Sequence, residues 1–171
     1  TELLPKTRGA IALAAVALDD VSRGGVLVED GGWVPSRVLR ADVALLEDET
    51  RTLRPREWVR LHLGTTEVGA RVVVAGGALA SGETRGARLV LDAPVVSRAG
   101  DRFVLRVASE SRTVGGGIVT DPAPQHRRPP PWPVHRSVGE RLRLLVQEGG
   151  EHGLAVAALP ASRHALDARP V

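Results

Sequence analysis

Gly100-Asp-Arg-Phe-Val-Leu-Arg-Val-Ala-Ser-Glu-Ser-Arg-Thr-Val-Gly-Gly-Gly-Ile-Val-Thr-Asp121 is the stretch that decides the fold. Phe103, Leu105 and Val107 alternate with Arg102, Val104 and Arg106. A period of two puts the apolar set on one face and the polar set on the other, as in a strand with one buried side. Thr113 to Thr120 reads as a further strand, carrying three consecutive glycines. Glycine there permits close backbone approach or a bulge.

The same pattern runs toward the N-terminus. Ser36 to Leu46 sets Leu39, Ala41, Val43 and Leu45 against Arg40 and Asp42. Trp58 to Leu63 sets Val59, Leu61 and Leu63 against Trp58, Arg60 and His62. Glu67 to Val74 is rich in β-branched residues, and Ala87, Leu89 and Leu91 alternate with Arg88 and Val90. Turn chemistry separates the runs at Asp30-Gly31-Gly32, Ala75-Gly76-Gly77, Ser81-Gly82 and Ala99-Gly100-Asp101. Short strands punctuated in this way predict a closed antiparallel barrel or a sandwich. Before Gly31, Ala10 to Leu18 and Val26 to Val28 are strand candidates in a separate unit.

Beyond Asp121 the composition changes. Asp121 to Val134 is a Pro- and Arg-rich linker whose prolines favour extended backbone and exclude sheet pairing. Ser137 and Glu140 then form an S-x-x-E capping box, followed by Val138, Leu142, Leu145 and Val146 at helical spacing, with Gly149-Gly150 as a stop. Leu154 to Leu159 is a candidate second helix ended by Pro160.

Composition narrows the chemistry. The 171 residues carry 23 Lys+Arg against 20 Asp+Glu, a formal charge of +3 that allows a local basic face. The absence of Cys excludes disulfides, thiolate catalysis and zinc or iron–sulfur sites built on Cys. Only Trp33, Trp58, Phe103 and Trp132 are aromatic, so Val, Leu and Ala must build the core. No apolar stretch approaches the ~18 residues of a membrane span and no signal peptide opens the chain, so a cytoplasmic protein is expected. A chain without Met that opens on Thr1 reads as a piece of something longer.

Gly115-Gly116-Gly117 lacks the Lys and the following helix of a phosphate loop. His62, His126 and His135 show no metal-pair spacing, and no G-x-S-x-G elbow is present. The residues left for a partner are basic. Arg127-Arg128, Arg136, Arg141 and Arg143 line the linker and helix, and Arg106, Glu110, Ser111 and Arg112 surround a strand-end loop. A solvated charge run is the ordinary reading of such residues. Contact with RNA phosphate is the sharper one, because arginine forks match phosphate oxygens.

Gly64-Thr-Thr-Glu-Val-Gly-Ala-Arg-Val resembles a strand pair in the third domain of elongation factor Tu and its relatives. Gly100-Asp-Arg-Phe-Val-Leu-Arg and Ser111-Arg-Thr-Val-Gly-Gly-Gly-Ile-Val resemble the last two strands of that domain. Val16-Ala-Leu-Asp-Asp-Val-Ser-Arg-Gly-Gly-Val-Leu is similar to the end of the second domain. His62-Leu-Gly-Thr, Ala93-Pro-Val-Val and Gly115-Gly-Gly-Ile-Val-Thr-Asp-Pro-Ala-Pro, with Arg127-Arg128 behind, look most like the bacterial selenocysteine-specific elongation factors (SelB). Roughly residues 7 to 160 take part in this resemblance.

The resemblance implies a parent that binds GTP with magnesium, carries selenocysteinyl-tRNA, and delivers it to the ribosome at a recoded UGA codon. Its other partners would be its own GTPase domain and, through C-terminal winged helices, an mRNA hairpin. The GTPase motifs do not occur in this stretch. On this chain the resemblance implies tRNA contacts at Arg60, Thr65, Thr66 and Gly69 and at the loop Ser109, Glu110, Ser111 and Arg112, with Arg127 and Arg128 as further RNA-backbone contacts. No catalytic residue, cofactor site, metal site or membrane contact is expected.

The architecture expected is mainly β, an antiparallel barrel of about six strands of the elongation factor Tu domain 3 type. It divides as the end of a second barrel (1–30), the barrel itself (31–121), a linker (122–136) and the start of a winged helix (137–171). The alternatives are the same barrel from another translational GTPase, and a protein-interaction barrel that does not bind RNA.

Overall fold

Six strands form where the apolar residues alternate: β1 (Ser36–Leu45), β2 (Trp58–Leu63), β3 (Thr66–Val74), β4 (Thr84–Val95), β5 (Arg102–Val107) and β6 (Thr113–Asp121). The computed structural model describes residues 7–28, 33–107, 109, 112–134 and 136–152. Every strand pairs antiparallel with both neighbours, in the closed order β1-β4-β3-β2-β5-β6. Closure removes sheet edges and decides between the barrel and the sandwich.

The inward residues are those the alternation selected. Leu39, Val43, Leu61, Val72, Leu89, Leu105 and Val119 are completely buried, and Phe103 is the one aromatic ring among the buried barrel residues. Leu53 and Leu79 form an isolated bridge outside the strands and join the same core. β4 extends past the Ala87–Leu91 alternation at both ends, where Thr84, Arg85, Gly86 and Val95 pair with β1, while β3 pairs only with the alternating stretch. Pro94 falls where the β1–β4 register shifts, a place where its missing N–H costs no ladder bond.

The three glycines of β6 face crowded space. A Cβ at Gly117 would lie 2.0 Å from the Asp42 carbonyl oxygen and 2.7 Å from the Phe103 ring, and one at Gly115 2.2 Å from the Ala44 carbonyl oxygen. β6 seals the barrel between β5 and β1, so these glycines let the seam close.

Two expected strands are absent. Ala10–Leu18 and Val26–Val28 are not strands; residues 7–28 hold a 3-10 turn at Leu18–Asp20 and a turn from Ser22 to Gly25. Leu18 is 88% exposed and Leu27 70%. A strand needs a neighbour for its backbone groups, and among the described residues none lies alongside. The segment touches the barrel at Gly24, whose carbonyl accepts a 2.7 Å hydrogen bond from Thr66 Oγ1. The expected turn at residues 30–32 and the second helix at 154–159 lie outside the described residues.

Helix α1 (Val138–Glu148) carries the expected capping box. Glu140 N–H donates to the Ser137 side chain, and the Glu140 carboxylate accepts from the Ser137 backbone N–H at 2.8 Å. Gly149 follows as the C-cap.

The linker is no free spacer. It makes no strand, as its prolines require, but it lies on the outside of β1 and β4. A Cβ at Gly86 of β4 would fall 1.7 Å from the Trp132 carbonyl oxygen, so the strap runs directly over that glycine. This overturns one reading of the alternation. Arg40 is expected on the solvent face beside Asp42; it is completely buried. Its Nη1 donates to Asp121 Oδ2 and its Nη2 to Glu148, both at 2.8 Å, while Nε donates to the Pro130 carbonyl at 3.0 Å. Trp132 stacks on the guanidinium at 4.4 Å and donates Nε1–H to Glu148 Oε1 at 3.0 Å. Burial pushes the Asp121 carboxyl above its usual range, against the opposing pull of Arg40.

This packing sets the cost of three substitutions. Gly117→Ala is expected to destabilise by about 3 kcal/mol, because its methyl meets backbone rather than a movable side chain. Gly139 lies in α1 with open space, nothing within 4 Å, where a Cβ would stand. Gly139→Ala is expected to stabilise by about 0.5 kcal/mol through helix propensity. Urea unfolding of both variants checks the pair. Arg40→Ala strands two carboxylates under the strap and is expected to cost about 3–5 kcal/mol in the same assay.

Candidate nucleic-acid interface

The outer wall of β2, β3 and β5 carries the first group of expected contacts. Arg60 stands opposite Gly69 on β3 and Arg106 on β5. Its side chain is about half exposed, with Nε 3.8 Å from Glu67 Oε1. His62, two residues along the same face, places Nδ1 4.0 Å from the other Glu67 oxygen. Two arginines side by side with one carboxylate leave a net positive patch. Arg106 Nε is buried and has no hydrogen-bond partner.

The β2–β3 turn holds Thr65, exposed after Gly64, whose φ of +57° suits glycine. Thr65 also lines a cleft of about 690 Å³ between the barrel end and residues 25–28. The Thr66 hydroxyl is already donated, to the Gly24 carbonyl. Gly69 is buried. Its N–H donates to Asp92 Oδ1 at 3.0 Å, and a Cβ there would lie 2.4 Å from Asp92 Oδ2 and 3.1 Å from the Trp58 ring. The space beside Gly69 is thus taken up by a carboxylate and an indole of this chain.

On the β5–β6 side Ser109 is exposed, while Glu110 and Ser111 lie outside the described residues. Arg112 pairs with the carboxylate of Glu49, whose side chain is almost wholly buried. Glu49 Oε1 also accepts the Arg51 backbone N–H at 3.1 Å. The Arg112 hydrogen bond and charge hold Glu49 below the usual carboxylate range.

The register separates these groups. Val59 pairs with Val107 and Leu63 with Phe103, so the turn at Thr65 lies at the opposite end of the barrel from Ser109 and Arg112. The six residues of β2 put roughly 20 Å between them. Arg60 sits on the wall between, nearer the Ser109 end. The structure therefore unites Arg60 with Arg106, and does not unite Thr65 with Ser109.

Arg127 and Arg128 are exposed on the strap. They line a depression of about 360 Å³ together with Arg56, Arg71 and Arg88. The alternation shows Arg88 as outward-facing, but its meeting with β3 and the strap depends on strand order. Arg71 joins this group to the first: its guanidinium lies 4.7 Å from the ring of Trp58, which it opposes in register.

No cluster of three or more His, Asp or Glu among the described residues is placed to hold a metal ion. The glycine-rich stretch of β6 is closed over by β1 and β5. No described helix is long and apolar enough to cross a membrane.

The barrel also has counterparts among known proteins. The model of the β-barrel domain of the selenocysteine-specific elongation factor matches residues 39–126, just over half of the chain. A selenocysteine-specific elongation factor from Desulfomicrobium baculatum is 28% identical over 160 residues, covering 89% of this chain and 25% of that protein. The chain thus spans about a quarter of the length of this curated relative.

The depressed Glu49 carboxyl predicts a pH dependence. Because its folded pKa lies below the reference value of 4.5, the Arg112 contact is complete above that value. It is lost as pH falls through the folded pKa. The Nε–H resonance of Arg112 is expected to shift only below about pH 4.5 in the unmodified chain. In Glu49→Gln it should sit at its acid-limit position already at neutral pH.

Proposed function

Since the chain belongs to the selenocysteine-specific elongation factors, we propose that it is the tRNA-supporting barrel of such a factor, of the elongation factor Tu domain 3 type. The parent binds GTP and selenocysteinyl-tRNA and delivers the tRNA to the ribosome in the cytoplasm at a recoded UGA codon. Within it this chain is a binding module, and GTP hydrolysis is the work of another domain.

The observation that carries this reading is the coincidence of the matched segment, residues 39–126, with the closed barrel and the first residues of its strap. The geometry supports one part of the expected contact surface over the rest. Arg60 and Arg106 offer paired cations on the outer wall, and Ser109 offers an exposed hydroxyl close to the same end. Such groups bind phosphate and ribose; they position RNA and read little sequence. Thr66, Gly69 and Arg112 are held by partners within the chain, and support the surface from beneath. Thr65, at the far end, borders the cleft beside residues 25–28.

The second role is packing between domains. Ile11, Leu18, Val21 and Leu27 are more than half exposed on a segment without a sheet of its own. Apolar side chains in that number fit a surface against the parent's neighbouring domains, including its GTPase domain. Helix α1 opens the winged-helix region that, in the parent, would hold the mRNA hairpin.

The test is fluorescence anisotropy with labelled selenocysteine tRNA. The double variant Arg60→Ala/Arg106→Ala is expected to bind about tenfold more weakly at low salt, with an unchanged unfolding midpoint. Binding within twofold of the unmodified chain would remove this wall from the RNA contact surface.

A further inference from the structure

The depression under the strap is walled by five arginines and no carboxylate. Arg56, Arg71, Arg88, Arg127 and Arg128 line it, and its remaining lining is valine from β1, β3 and β4. Seven other arginines, Arg40, Arg51, Arg60, Arg85, Arg98, Arg112 and Arg136, each face a carboxylate. Among the described residues, no carboxylate pairs with Arg56, Arg127 or Arg128.

The cations are held together by structure. Arg71 is fixed over the Trp58 ring at 4.7 Å. Arg88 Nη1 donates to the Pro129 carbonyl at 3.2 Å, while its Nε is buried without an acceptor. Arg56 adopts φ +62° in the β1–β2 connection, and its backbone N–H donates to the Val72 carbonyl. Burial, together with the charges of Arg128 and Arg56, lowers the proton affinity of Arg88. Like charges gathered against an apolar floor repel one another at reduced dielectric. A site of this kind is relieved by an anion with several oxygens, for which guanidinium forks are the matching donors.

We propose that this arginine-walled pocket seats a phosphodiester of the RNA backbone, as an anchor separate from the Arg60–Arg106 wall. RNA is favoured as the source because Trp58, 46% exposed, adjoins the pocket through Arg71 and lies two residues from Arg60 on the same strand face. A basic groove beside an exposed aromatic is the arrangement that tracks a nucleic-acid backbone. A strand of RNA lying on the Arg60 wall would reach the pocket across that row. The proposal rests on the RNA-binding reading of the barrel and assigns to the strap, through Arg127 and Arg128, a part in the binding surface.

Arg127 and Arg128 are exposed and make no ion pair among the described residues, so Arg127→Gln/Arg128→Gln tests the pocket without disturbing the barrel. Labelled selenocysteine tRNA is titrated by anisotropy between about 50 and 200 mM KCl, where phosphate contacts report as a salt slope. The double variant is expected to bind about tenfold more weakly at low salt and to lose about two units of that slope. Arg127→Lys/Arg128→Lys is expected to keep the slope, because the charge remains. Unchanged affinity and slope in the Gln variant, with weakening by Arg60→Ala/Arg106→Ala, overturns the pocket alone. Absence of tRNA binding by the unmodified chain overturns both readings. Line broadening of inorganic phosphate in the 31P spectrum that the Gln variant abolishes, with tRNA affinity unmoved, assigns the pocket to free phosphate and overturns the RNA assignment.

Discussion

The buried Arg40 guanidinium is the constraint on which the arrangement around the barrel depends. A cation with no exposure must be matched on every donor, and its partners come from three parts of the chain: Asp121 at the end of β6, Glu148 at the end of α1 and Pro130 in the strap. None of these can leave without stranding a charge. The eleven-residue helix has no buried residue of its own and is short for independent stability. Its attachment to the barrel is therefore electrostatic and hydrogen-bonded, with Trp132 closing the site from above. A buried ion pair of this kind specifies geometry more than it adds stability.

A second constraint sits at the seam. The barrel is small and filled by Val, Leu and Ala, so β6 has to approach β1 and β5 closely. Three glycines make that approach possible. The same device recurs at Gly86, where the strap crosses β4, and at Gly69, where Asp92 and Trp58 fold over β3. Glycine at these five positions thus marks where one layer of the protein rests on another. At Gly69 the layer is formed by the side chains of Asp92 and Trp58.

The two basic surfaces follow from these constraints. The barrel's register places Arg60 beside Arg106, and its strand order places Arg71 beside Arg88. The strap, held by Arg40, then brings Arg127 and Arg128 over the second pair. Charge on the outer wall is consequently organised by the same network that docks the helix. Arg112 belongs elsewhere: its guanidinium covers Glu49 and ties the connection after β1 to the start of β6.

Strand positions, the inward residues of each strand and the capped helix were legible in the sequence, because periods of two and of 3.6 are local properties of the backbone. The resemblance of residues around Gly64 and Gly115 marked the family as well. Ala10–Leu18 misled, since an apolar run does not reveal whether a partner strand lies beside it. Arg40 misled for a related reason: alternation says which face a residue is on, and not what later covers that face. Thr65 and Ser109 were grouped by family position, but antiparallel register sends their turns to opposite ends. The sequence by itself determined the elements and their buried sides, through short-range sterics and hydrophobic spacing. Only the tertiary structure decided closure order, the burial of Arg40 and the gathering of five arginines, because those depend on contacts between residues far apart in the chain.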